Sequence, residues 1–154
     1  MRKLALAFAL AFVFAAAVPV LAQGAQGAPT APVFMPSGDM KWTDLDPTGA
    51  PGVKIADLWG DHTKGAFGAL VKFPAGFMTP VHTHTNPFKI VIVSGTFLQT
   101  PEGKSEVKLG PGSYLLQPGG NYRHMTGCDK GSDCVFFTQA EGKFDLIPAA
   151  PPKK

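Results

Sequence analysis

Cysteine, net charge and windows free of glycine or proline are all scarce in this chain, and each shortage excludes something. Cys128 and Cys134 are the only cysteines in 154 residues, too few for a cysteine-built metal site. Turn residues, Asp129-Lys-Gly-Ser-Asp133, lie between them. In an oxidising compartment such a pair reads as a local disulfide, wider in spacing than a typical reactive thiol pair. A bridge around so short a loop constrains the unfolded chain modestly, so its task is to fix that loop. With Arg2 and Lys3 set aside, 12 basic side chains face 11 acidic ones and no basic stripe occurs. Nucleic-acid binding therefore has no electrostatic support. The 18 glycines and 15 prolines interrupt nearly every window long enough for a helix. Solenoid-period repeats are absent as well.

Long apolar runs are missing too, except at the start. Arg2 and Lys3 precede an apolar run from Leu4 to Leu21, and Val20-Leu21-Ala22 offers a cleavage site after Ala22. Positive start, apolar stretch and small residues at the cut describe a secretory signal peptide over 1–22 and a periplasmic or secreted product. The competing reading is a retained membrane anchor. No cysteine follows the run, which argues against a lipoprotein. After cleavage nothing remains to hold the protein in a membrane, and roughly 130 residues suit one domain with one core. Residues 23–36, rich in Ala, Gly, Pro and Gln, read as a flexible lead-in, 37–147 as the domain and 148–154 as a disordered tail.

Within the domain, short apolar runs alternate with Gly and Pro: Val53–Trp59, Phe67–Phe73, Phe88–Val93, Thr96–Thr100, Ser113–Gln117 and Val135–Gln139. This is the rhythm of an all-β sandwich or barrel of short antiparallel strands. Both faces of Phe88–Val93 are mostly apolar, so that strand is expected to be central and covered on both sides. Trp42, Trp59, Phe136 and Phe137 read as packing residues, and His62 as a polar turn residue.

The most informative stretch is Gly76-Phe-Met-Thr-Pro-Val-His82-Thr-His84-Thr-Asn-Pro-Phe88-Lys89, closing at Gly95. Alternating strand side chains put His82 and His84 on one face, and imidazole is the commonest metal ligand. Downstream stand Gly112, then Pro118-Gly119-Gly120, then His124. Together these resemble the two motifs of the cupin superfamily, RmlC-like single-domain β-barrels built as a double-stranded jelly roll. Secreted cupin-domain proteins of unassigned function, often with a late cysteine pair, look similar. The spacing departs from the family pattern in three places. Phe88, or Lys89 on the longer count, stands where a glutamate ligand belongs. Asn121-Tyr122-Arg123 puts three residues before His124 instead of two. The closing asparagine is absent, with Gly127 or Cys128 near its place. A small bulge would turn His124 inward; without one, Arg123 takes the ligand position.

The resemblance implies a metal site made by His82, His84 and His124, similar to the ferrous sites of thiol dioxygenases and some diketone-cleaving cupins. A divalent transition metal, Fe(II), Zn(II), Ni(II) or Cu(II), suits neutral imidazoles, and the residues do not choose among them. Gln117 is a candidate supporting amide or fourth ligand, and Tyr122 a candidate phenolic proton donor. The expected function is an exported metal-binding cupin, with a metal-dependent oxygenase acting on a small organic molecule as its activity. The alternatives are a non-catalytic periplasmic domain that binds or senses a small ligand, and a metal-storage protein. Cupins frequently pair, so a homodimer is the expected assembly.

Overall fold

The computed structural model describes residues 29–149. The expected signal peptide, residues 23–28 of the lead-in and residues 150–154 of the tail lie outside them. Residues 29–34 are exposed and carry no strand or helix. Among the described residues the strands, all within 35–149, are β1 Thr43–Asp44, β2 Lys54–Gly60, β3 Phe67–Phe73, β4 His82–Thr83, β5 Phe88–Ser94, β6 Phe97–Pro101, β7 Val107–Leu109, β8 Tyr114–Gln117, β9 His124–Cys128, β10 Cys134–Ala140 and β11 Ile147–Pro148. The six apolar runs read from the sequence all became strands, because β-branched and aromatic residues at period two suit a pleat with one buried face.

The strands form two antiparallel sheets, ordered β1-β2-β3-β10-β5-β8 and β11-β4-β9-β6-β7. This is the all-β, jelly-roll architecture that the sequence suggested. The inner faces meet in one core that includes Ile55, Phe67, Val71, Phe73, Phe88, Ile92, Phe97 and Phe136. Phenylalanine rings meet edge to face there: Phe73–Phe136 at 5.0 Å and Phe97–Phe136 at 4.9 Å between centroids. Such contacts add about 0.5–1.5 kcal/mol each beyond the area buried.

β5 corrects one expectation. It is interior to its sheet, between β10 and β8, but only one face is covered. Phe88, Ile90 and Ile92 are buried, whereas Val91 and Val93 are 38% and 52% exposed. A run apolar on both faces is compatible with a half-exposed strand, and periodicity alone does not separate the two cases. Ile147 and Pro148 pair with Thr83 and His82, and the Ala149 amide donates to the Val81 carbonyl.

Cys128 ends β9, Cys134 opens β10, and a disulfide joins them across a Cα separation of 5.7 Å. The turn from β5 to β6 packs against this bridge. Gly95 has φ +75°, and a Cβ there would stand 2.4 Å from the Asp133 carbonyl oxygen and 3.0 Å from Cys134 Sγ. Only glycine fits that approach.

Candidate metal centre

Two segments far apart in sequence are locked together to form the site. His82 on β4 lies opposite His124 on β9 in the ladder. His84 follows β4 and is held by the Pro118-Gly119-Gly120 turn, in which the Gly120 amide donates to the His84 carbonyl at 2.8 Å. A Cβ on Gly119 would come within 2.5 Å of the Thr85 carbonyl oxygen. The second glycine-rich motif is thus the clamp that sets the backbone of the first.

The three-residue spacer before His124 is absorbed without a bulge in β9. Gly120 takes φ +71°, a turn covers Gly120 and Asn121, and β9 pairs with β6 in unbroken register from Phe97↔Cys128 to Pro101↔His124. His124 faces inward and is fully buried. Arg123 faces away, and its guanidinium binds Glu102 through Nε at 2.5 Å and Nη2 at 2.8 Å.

Each ring is oriented by a backbone carbonyl at Nδ1: Pro80 for His82 at 2.9 Å, Asp145 for His84, and Tyr122 for His124 at 3.1 Å. A carbonyl oxygen only accepts, so each Nδ1 carries the proton and each neutral ring presents a bare Nε2. These lone pairs converge. His82 Nε2 and His84 Nε2 are 3.1 Å apart, the cluster's ligand atoms all lie within 4.8 Å of one another, and His124 Nε2 is buried with no hydrogen-bond partner.

Two bare nitrogens at 3.1 Å repel each other unless a proton or a metal ion lies between them. Burial opposes the proton. Desolvation lowers the pKa of all three rings, outweighing the carbonyl bonds, and takes His84 and His124 to about 4. A metal ion fits: nitrogens about 2.0–2.1 Å from one ion stand about 2.8–3.4 Å apart at 90–109°. Buried neutral imidazoles with carbonyl-bound Nδ1 are also what a borderline divalent cation selects.

The glutamate position is closed. Phe88 is buried, its ring edge-on to His84 at 4.8 Å between centroids, while Lys89 is exposed. Among the described residues no carboxylate enters the cluster, so a metal ion held there would face three neutral ligands. Phe88 pairs across the ladder with Gln117, which is buried and lines the same cavity of about 70 Å³ as His82 and His84. By the same measure about 10–15 Å³ holds one water, so the cavity has room for a small organic molecule.

Gln99, which the sequence reading passed over, is buried on β6 and donates from Nε2 to Gln117 Oε1 at 3.3 Å. Its signal was a polar residue at an inward position, two after Phe97 and opposite Thr126. The Tyr122 ring stacks on His124 at 5.1 Å and 25°, beside the imidazole of the cluster. His62 is more than a turn residue: its Nδ1 lies 2.8 Å from Asp57 Oδ2, and with Asp61 these form a second, half-buried grouping.

Comparison with known proteins agrees with this fold. Residues 33–152 match the model of a domain of unknown function, DUF4437. A search of curated proteins returns no match. Among solved structures, an RmlC-like cupin from Ralstonia eutropha JMP134 is 22% identical, with 71% of this chain and 68% of that one covered at a TM-score of 0.58. The polyketide cyclase RemF from Streptomyces resistomycificus is 18% identical over 80% of this chain and 89% of that one, TM-score 0.65. The DMSP lyase DddQ from Ruegeria pomeroyi DSS-3 is 19% identical over 76% and 64%, TM-score 0.59. The fold is that of the RmlC-like cupins.

Proposed function

The chain belongs to the DUF4437 family, and on that premise we propose that it is an exported metal-binding cupin acting on a small organic molecule as a metal-dependent oxygenase. The observation that carries the metal reading is the convergence of three bare Nε2 atoms, two of them 3.1 Å apart and the third, on His124, buried without a partner. His82, His84 and His124 would hold a divalent transition metal, which when bound would supply Lewis acidity or redox chemistry.

The chain's own residues do the rest. Pro80, Asp145 and Tyr122 carbonyls fix the ring planes, and the Tyr122 ring buttresses His124. The phenylalanine walls exclude water and seat an apolar body, while Gln117 presents an amide beside it. Three protein ligands would leave room at the metal for a reactant, which a carboxylate as fourth ligand would narrow. Export is supported by the buried disulfide, a bond that persists in oxidising compartments. Pairing of two copies is supported by the outer face of the first sheet, where Val91, Val93, Tyr114 and Leu116 are exposed.

Cobalt(II) titration of metal-free protein tests the site. Wild type should bind one equivalent and develop the visible bands of a nitrogen-ligated site, and His124→Ala should lose both the tight binding and the bands. Identical spectra from the two proteins would remove His124 from the site. Substrate turnover by the loaded protein would then separate an oxygenase from a domain that only binds its ligand.

A further inference from the structure

The walls of the cavity say what kind of molecule it takes, an inference that rests on reading the cavity as the ligand site. Its lining residues contain no lysine, arginine, aspartate or glutamate. Six are phenylalanines, and the rings of Phe73, Phe77 and Phe136 meet edge to face at about 5 Å. Among the polar groups, Thr79 is used internally: its hydroxyl donates to the Thr126 carbonyl at 3.1 Å and accepts the Thr126 amide at 2.8 Å.

Gln117 is different. Its Oε1 accepts from Gln99 Nε2 at 3.3 Å, and among the described residues none accepts from its Nε2. Gln99 is itself buried and has no other role at the site. In this pairing Gln99 Oε1 is buried without a partner, the Gln117 oxygen is engaged and its N–H groups are left to a ligand. An N–H donor recognises an acceptor oxygen and gives nothing to an ammonium group. Without a metal ion, a cavity lacking a cationic side chain would have to desolvate a carboxylate, phosphate or sulfonate uncompensated.

We propose that the cavity of the metal-free protein selects a small uncharged molecule with an apolar body and one acceptor oxygen, such as a neutral aromatic carbonyl compound, the oxygen bonded by Gln117 with Gln99 as the positioning residue.

Three probes of similar size test this on the folded protein by titration calorimetry or ligand-observed NMR at neutral pH: acetophenone, benzoate and ethylbenzene. Each is measured on metal-depleted and metal-loaded protein. Acetophenone should bind more tightly than ethylbenzene by about fivefold, the worth of one neutral hydrogen bond. Benzoate should be the weakest by at least about tenfold in the metal-depleted protein, as expected for a desolvated charge. In Gln117→Leu the acetophenone preference should vanish while ethylbenzene is unchanged, and Gln99→Leu should reduce the preference part-way. Benzoate binding as well as acetophenone to metal-depleted protein, no binding of any probe, or an unchanged preference in Gln117→Leu would each overturn the proposal. If Gln117→Leu does not fold, the wild-type ranking still decides. Because the ranking is read without metal, a protein that shows it yet holds no metal contradicts only the metal reading, and a metal-loaded protein that prefers benzoate when depleted contradicts only this one.

Discussion

Burying three histidines around bare nitrogens makes the metal-free protein sensitive to acid in a way that can be worked out in advance. His84 and His124 have folded-state pKa values lowered from 6.5 to about 4, mainly by desolvation, and His82 is lowered for the same reason. A lowered histidine pKa means that the unfolded chain binds more protons than the fold between these values. Stability is therefore fully present above about pH 6.5 and is lost as pH falls toward about 4. The gap between 6.5 and about 4 corresponds to about 3 kcal/mol for each ring. The rings lie too close together to titrate independently, so the cluster as a set should cost a few kcal/mol over this range. Urea denaturation in the presence of chelator, from pH 7.5 to 4.5, measures it. The variant His84→Gln with His124→Gln, measured alongside, removes the contribution of carboxylates elsewhere. Wild type should lose several kcal/mol more than the variant across the range. Parallel curves would refute the assignment of buried neutral imidazoles.

Other substitutions probe individual parts of the site. Phe88→Glu restores the missing carboxylate, and in metal-free protein a buried, unpaired acid should cost about 3 kcal/mol or more. Metal should then raise the melting temperature of this variant by more than it raises that of wild type; an equal or smaller rise would show that the glutamate position does not face the ion. Gly119→Ala drives a Cβ to 2.5 Å from the Thr85 carbonyl oxygen, so it should destabilise by about 1–3 kcal/mol and weaken metal binding together, and normal metal affinity in a destabilised protein would separate the clamp from the site. Replacing Cys128 and Cys134 by alanine opens a loop of sequence separation 6, which the loop-entropy relation values at about 2 kcal/mol, read as a shift of the urea midpoint. Light scattering should show a dimer that Val93→Lys with Leu116→Lys dissociates; a wild-type monomer at high concentration would contradict pairing through that face.

The fold was largely legible because its determinants are local. Runs such as Phe67–Phe73 and Val135–Gln139, bounded by glycine and proline, have few alternatives to a strand. His82 and His84 were legible for the same reason, since period two places them together wherever the strand runs. His124 was ambiguous because one extra residue in a loop reverses a side chain's direction, and only the backbone shows that the Gly120-Asn121 turn takes up the excess. Gln99 carries only a weak signal, a polar residue at the inward position two after Phe97, and its role depends on Gln117 reaching it from the other sheet. The exposed outer face of β5 was misread because a valine does not declare whether anything covers it. The stacking of Tyr122 on His124 is a matter of three-dimensional direction that sequence proximity does not carry.

The central claim is that His82, His84 and His124 hold a metal ion, and metal analysis of the protein isolated from its native compartment tests it most directly. Elemental analysis should find close to one equivalent of a divalent transition metal in wild type and almost none in His82→Ala with His84→Ala. Folded wild-type protein that carries no transition metal and takes up none on addition would contradict the account.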